Sequence, residues 1–172
     1  SSSANWHEQM GHAPMLVARR ARFFDLVVLG RSERVVDLPH SDVLEDTVMR
    51  CGRPVLLAPS HPPKALGVTI AVAWNGSAEA TRAVAGSLPF LAHAKSVIVL
   101  TAESTETAEG AELVKALAWR GIAATTRHLA PVAGVNVGEQ LLAAARDDSA
   151  DMMVMGGYGK APVGPVYLTG EG

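Results

Sequence analysis

Residues 68–74 decide the fold: they read Val-Thr-Ile-Ala-Val-Ala-Trp and are followed by Asn75-Gly76-Ser77. Similar apolar runs rich in β-branched residues begin at residues 96, 122 and 151, so the starts lie about 28 residues apart. The segments between them have helical periodicity. Continuous apolar strands that alternate with helices are typical of a parallel sheet covered on both faces. The sequence therefore predicts an α/β fold, Rossmann-like, with an open parallel sheet and helices on both faces.

The predicted helices carry start and stop signals. Ser77 is a suitable N-cap for a helix that follows the first strand, and Pro89 predicts that this helix ends early. Gly121 suits the left-handed C-terminal cap of the next helix. Asn136, with Glu139 three residues later, forms a capping box at the start of the third helix.

An upstream segment repeats part of the same pattern of strands and helices. Asp-Leu-Val-Val-Leu-Gly at 25–30 matches Asp-Met-Met-Val-Met-Gly at 151–156 with a single offset of 126 residues. Residues 1–60 are therefore predicted to be the C-terminal part of a first unit, with the order helix, strand, helix, strand. Residues 61–65 are a proline-rich linker, and residues 66–172 are a second unit without its last helix and strand. Because the second unit lacks these elements, residues 54–58 should either extend a sheet edge or pair with a second chain, so self-association as a homo-oligomer is expected.

Composition excludes several classes of partner. The chain has 15 basic and 17 acidic residues, a formal net charge of −2, and no basic run longer than two residues. This distribution argues against nucleic-acid binding. The chain has one cysteine, no stretch near the roughly 20 apolar residues of a membrane helix, and no features of a signal peptide at its start. A soluble, cytoplasmic protein without a membrane partner is expected.

Two loops are candidates for ligand binding. Right-handed crossovers place the strand over 68–74 beside the strand over 151–155, and open α/β sheets bind ligands between the carboxyl ends of such strands. The loops there are residues 73–77 and residues 156–160, which read Gly-Gly-Tyr-Gly-Lys. Glycines allow backbone N–H groups to approach phosphate, and Lys160 adds a positive charge. The second loop is not a Walker loop, because its spacing is too short and Ala161 stands where Ser or Thr should follow the lysine. It is not a dinucleotide fingerprint either, because Pro162 occupies the place of the last glycine.

Three segments together carry a family resemblance. Residues 71–77, 97–101 and 150–160 resemble the universal stress protein family, most closely its bacterial tandem-domain forms. The resemblance implies a five-stranded parallel sheet of order 3-2-1-4-5, pairing of two domains, and, in one branch, ATP binding. Gly156 and Gly159 match the first glycine pair of the loop in that branch.

The resemblance also implies which residues form the site, and at some of these positions the sequence differs from the ATP-binding branch. Asn75 stands where the ATP-binding branch has Asp, so contacts to ribose or base can persist while contacts to Mg²⁺ weaken. Ala102 matches the position whose backbone meets adenine. Thr169 stands where the branch has a glycine paired with Ser or Thr. In the upstream copy Glu33 replaces the second glycine, so at most one site is expected. The predicted site for ATP or AMP, with or without Mg²⁺, comprises Ala73, Asn75, Ser77, Ala102, Gly156, Gly159, Lys160 and Thr169.

Three functions remain open at this point. The first is a stress-response regulatory module that binds an adenine nucleotide. The second is a non-enzymatic interaction module that has lost nucleotide affinity, as Asn75 and the prolines at 162 and 165 suggest. The third is a slow ATP hydrolase, for which no catalytic residue is assigned. Trp74 is predicted to pack either in the ligand crevice or against the other domain.

Overall fold

A computed structural model of the chain describes residues 3–30, 41–102 and 107–157. The described helices are α1 (Ala13–Ala21), α2 (Ser41–Arg50), α3 (Ala78–Leu91), α4 (Thr107–Ala118) and α5 (Val137–Asp147). The strands are β1 (Val27–Gly30), β2 (Val55–Ala58), β3 (Thr69–Ala73), β4 (Ser96–Ala102), β5 (Thr125–Leu129) and β6 (Met152–Val154). Within these ranges, every helix is too short or too polar to cross a bilayer.

The strands form two parallel sheets. The larger sheet has the order β5-β4-β3-β6, and the smaller sheet is the pair β1-β2. With β3 counted as strand 1, the larger order reads 3-2-1-4 and agrees with four positions of the predicted topology. Ile70 of β3 lies opposite Val97 of β4 on one side and Met152 of β6 on the other. The prediction of an α/β fold with a parallel sheet and neighbouring strands β3 and β6 is therefore confirmed.

Helices cover both faces of the larger sheet. Ile70 and Val72 are fully buried among residues of α3 and α4, whereas Ala71 is fully buried among residues of α5. Burial of an Ile or Val side chain contributes about 1.5–3 kcal/mol to folding. The edge strand β5 differs from the prediction of a continuous apolar strand, because it reads Thr-Thr-Arg-His-Leu and has three exposed and two half-buried residues.

The predicted helix starts are confirmed, and one predicted helix end is wrong. The Ser77 hydroxyl accepts a hydrogen bond from the Ala80 N–H at 3.1 Å, and the Asn136 side chain accepts one from the Glu139 N–H at 2.9 Å. Helix α3 nevertheless continues through Pro89 to Leu91. Because Pro89 lies in the last turn, it forfeits a single bond, the one to the carbonyl of the solvent-exposed Ala85.

The two copies of the sequence repeat, β1 and β6, pair with strands at different places in the chain. The upstream strand β2 pairs with β1 in parallel, with the Val27 N–H donating to the Pro54 carbonyl at 3.1 Å, and the two strands form a sheet of their own. Self-association through this strand stays a prediction. In the second unit the Asp151 carboxylate accepts hydrogen bonds from the Val68 N–H at 3.0 and 3.1 Å. That carboxylate thereby ties the start of β6 to the start of β3.

Candidate functional site

Gly156, at the start of the second predicted loop, lies against the helix that follows the first predicted loop. A Cβ atom placed on Gly156 would lie 2.7 Å from the backbone nitrogen of Ala80 and 2.8 Å from the carbonyl carbon of Glu79. Backbone atoms cannot yield as a flexible side chain can, so this position requires glycine. The segment after β6 is therefore packed directly on the first turn of α3.

The turn before α3 is closed by its own side chains. The Asn75 side-chain oxygen accepts a hydrogen bond from the Ser77 N–H at 3.1 Å, and Gly76 has φ +70°. Asn75 is exposed, and its amide nitrogen makes no hydrogen bond to any other described residue. The turn thus uses one polar atom of Asn75 and leaves the amide donor available to a ligand.

Two further predicted residues end neighbouring strands at this edge. Ala73 is half-buried at the end of β3, and Ala102 is 8% exposed at the end of β4. Such a buried alanine can offer a ligand its backbone groups and little side-chain surface. The structure therefore brings Ala73, Asn75, Ser77, Ala102 and Gly156 to one edge of the sheet. Gly159, Lys160 and Thr169 lie outside the described residues, as does Glu33.

Two carboxylates lie beside the loops, and the sequence reasoning did not include them in the site. The nearer Glu109 oxygen would lie 2.6 Å from a Cβ placed on Gly76, so the start of α4 meets the turn after β3. Glu79 lies in the first turn of α3. Both follow strands that end at the same sheet edge, and a first-turn acid after such a strand is the sequence signal that could have identified them.

The acidity of Glu79 follows from its local hydrogen bonds. The N–H of Glu79 itself lowers the pKa of its carboxyl, and Arg82, whose guanidinium lies 3.0 Å away, lowers it further, while partial burial opposes both effects. The carboxylate is therefore ionised at neutral pH. A phosphate bound beside this turn would meet negative charge from Glu79 and Glu109, and a bound cation would offset it.

Trp74 packs into the core. Its side chain contacts the hydrophobic cluster that includes Ile70 and Val72 on the face covered by α3 and α4. Its indole N–H is buried and has no hydrogen-bond partner in the described part of the chain. Trp74 is half-buried, and its predicted packing in the ligand crevice or against the other domain stays a prediction.

A cavity of about 640 Å³ lies next to the loop pair. It is bounded by α2, β2, α3 and β6, and its lining includes Glu79 and Gly156 but not Asn75, Ser77 or Ala102. The cavity and the predicted nucleotide crevice are therefore different spaces that share one wall.

Comparisons with known proteins give a limited result. No family model and no curated protein matches the chain. Among solved structures it is similar to a protein from the universal stress protein family from Burkholderia pseudomallei, with 25% identity and a TM-score of 0.44 over 55% of this chain and 84% of that one. It is also similar to protein Rv1636 from Mycobacterium tuberculosis H37Rv, with 22% identity and a TM-score of 0.39 over 56% and 76% of the two chains. Both TM-scores are low, so the fold assignment rests on the strand order and parallel register of this chain.

Proposed function

We propose that this chain is a stress-response regulatory module of the universal stress type, which binds an adenine nucleotide where the turn after β3 meets the segment after β6. The observation that carries the proposal is the contact of Gly156 with the backbone of Ala80. It brings the segment after β6 against the first turn of the helix that follows β3, at the edge where parallel α/β sheets take their ligands.

Each described residue has a role in this proposal. The first turn of α3 and the glycine backbone after β6 would face phosphate oxygens, where the helix dipole favours negative charge. The Asn75 amide would donate to a ribose hydroxyl. The backbone at the end of β4, at Ala102, would meet the adenine ring.

The neighbouring carboxylates predict that a cation assists binding. The negative charges of Glu109 and Glu79 repel a triphosphate that carries no cation. Mg²⁺ bound between phosphate and carboxylate oxygens would remove this repulsion. Binding of ATP is therefore expected to strengthen when Mg²⁺ is added, whereas binding of AMP, with its smaller charge, depends on Mg²⁺ less.

Calorimetric titration of the full chain with ATP and AMP, each with and without Mg²⁺, tests the proposal. We expect saturable binding at one site per chain and weaker binding by Asn75→Ala and Gly159→Val variants. The absence of heat from the parent protein under all four conditions, or equal affinity in the parent and both variants, would defeat the proposal.

A second candidate function is an interaction module without nucleotide affinity. The Glu109 carboxylate beside Gly76 favours it, because this charge repels phosphate. Purified protein can be denatured and the supernatant assayed for adenine compounds. A stoichiometric adenine nucleotide would exclude this candidate. Neither proposal includes ATP hydrolysis. Support for it would require metal-dependent ATP turnover above that of the Gly159→Val variant.

A further inference from the structure

The turn after β3 contains the pair Asn75-Gly76, in which a side-chain amide is followed by a residue without a side chain. Both residues are exposed. The backbone nitrogen of the residue after an asparagine can attack the carbon of the side-chain amide, and a β-carbon on that residue hinders the attack. Gly76 has no β-carbon, so its nitrogen can approach the Asn75 side chain closely.

The hydrogen bond that closes this turn activates the same side chain. The Asn75 side-chain oxygen accepts a hydrogen bond from the Ser77 N–H at 3.1 Å. This bond holds the side chain over the peptide group that follows it and draws electron density from the amide carbon. When a nucleophile adds to that carbon, negative charge develops on the oxygen, and the Ser77 N–H stabilises it as a donor in an oxyanion hole does.

A carboxylate lies over the attacking residue. The two Glu109 oxygens would lie 2.6 and 3.4 Å from a Cβ atom placed on Gly76. The Gly76 nitrogen must lose its proton to become a nucleophile, and a carboxylate beside it can accept that proton directly or through one water. The electrophile, the nucleophile and a proton acceptor therefore meet at this turn.

A second exposed asparagine provides an internal comparison. Asn136 also precedes a helix, and its side-chain oxygen also accepts a hydrogen bond from a backbone N–H, that of Glu139 at 2.9 Å. The residue after it is Val137, whose branched β-carbon shields the backbone nitrogen. Helix capping is thus common to both asparagines, whereas the unhindered neighbouring nitrogen belongs to Asn75.

We propose that Asn75 is a site of self-modification, which deamidates through a succinimide with Glu109 as the proton acceptor. The Gly76 nitrogen gives its proton to Glu109 and bonds to the side-chain carbon of Asn75. The bond from that carbon to the amide nitrogen breaks, and this nitrogen takes the proton and leaves as ammonia. Water then opens the ring. Cleavage at the side-chain carbon yields aspartate, and cleavage at the backbone carbonyl carbon of Asn75 yields isoaspartate.

Either product adds a negative charge to the candidate site. The carboxylates of Glu79 and Glu109 already lie beside the turn, so a third carboxylate increases the repulsion of phosphate and the need for a cation that offsets it. Loss of ammonia is irreversible in dilute solution, so the modified form accumulates with the age of the molecule. The reaction itself does not depend on nucleotide binding, whereas this consequence rests on the proposed function.

Peptide mapping by mass spectrometry during incubation of the full chain at pH 7 tests the proposal. We expect succinimide, aspartate and isoaspartate at residue 75, while Asn136 stays intact. The folded chain should react on the order of ten times faster than the same chain unfolded in guanidinium, because unfolding removes the Glu109 carboxylate and the fixed hydrogen bond from Ser77.

A matched pair of variants tests the role of Glu109. Glu109→Gln should remove most of the acceleration in the folded chain and leave the rate of the unfolded chain unchanged. Glu112→Gln, which alters another exposed carboxylate of α4, one paired with Lys115, should leave both rates unchanged. An unchanged folded-state rate in Glu109→Gln, or an equal loss in both variants, would overturn the proposal.

The remaining outcomes separate this chemistry from nucleotide binding. Equal modification of Asn75 and Asn136, a folded chain that reacts no faster than the unfolded one, or aspartate without succinimide and isoaspartate would overturn the proposal. An Asn75→Asp variant measures the consequence by calorimetry: it should bind ATP more weakly than the parent without Mg²⁺ and gain more from added Mg²⁺. If neither protein binds ATP, the proposed function fails, while the mass measurements still decide the chemistry of Asn75.

Discussion

The contact between Gly156 and α3 predicts a large effect of one methyl group. In a Gly156→Ala variant the new Cβ would lie 2.7 Å from the Ala80 nitrogen and 2.9 Å from the Glu79 Cβ. The segment after β6 must then move away from α3 by several tenths of an ångström. Overpacking of this kind costs about 1–3 kcal/mol. In a chain of this size, about 2–4 °C per kcal/mol is expected, so the melting temperature should fall by about 2–12 °C.

The repeat provides a matched control at the equivalent glycine. A Cβ on Gly30 would meet no atom of the described residues within 4 Å. Since alanine there only restricts the unfolded chain, Gly30→Ala should be neutral or stabilising by up to about 1 kcal/mol. Thermal and urea denaturation of both variants, monitored by circular dichroism, measures the difference. If Gly156→Ala proves as stable as Gly30→Ala, the two loops are not packed together as described and the reasoning for the site is refuted.

Three other predictions concern neighbouring contacts. Asp151→Asn weakens the hydrogen bonds to the Val68 N–H and should destabilise the protein by about 1–3 kcal/mol in urea denaturation, whereas Asp25→Asn, the exposed repeat equivalent, should leave the midpoint unchanged. Ser77→Ala removes the cap of α3 and should cost about 1 kcal/mol, and a Ser77→Asp variant that fails to recover this loss would contradict the capping role. Because the folded protein lowers the pKa of Glu79, its ionised form stabilises the fold at neutral pH, and this contribution is lost as the pH falls through about 4 and below. Denaturation midpoints between pH 7 and pH 3 should therefore fall less steeply in a Glu79→Gln variant, and identical slopes would show that Glu79 does not contribute.

Local pattern and chain connectivity were enough to predict the larger sheet. The apolar runs that became β3, β4 and β6 are buried on both faces, and right-handed crossovers leave few ways to order them. The prediction that α3 ends early at Pro89 was wrong, because a proline in the last turn of a helix costs only one backbone hydrogen bond. β5 was harder to predict because an edge strand needs no continuous apolar face.

The site could be predicted in part. Asn75, Ser77 and Gly156 were identified from the loops, and the structure brings their segments together. The position of Glu109 depends on how closely the start of α4 approaches Gly76, which no local pattern encodes. The cavity depends on tertiary packing of the upstream unit, where a Cβ on Gly86 would lie 2.9 Å from the Pro54 Cβ. Such contacts follow from the assembled fold.

Nuclear magnetic resonance during an ATP titration of the isotopically labelled chain tests the nucleotide site most directly. The backbone amide signals of Gly76, Ser77, Ala80 and Gly156 are expected to shift together and to fit one dissociation constant, while those of β1 stay in place. Shifts confined to one of the two loops, or absent from both at millimolar ATP with Mg²⁺, would contradict the proposal that the two loops jointly bind an adenine nucleotide.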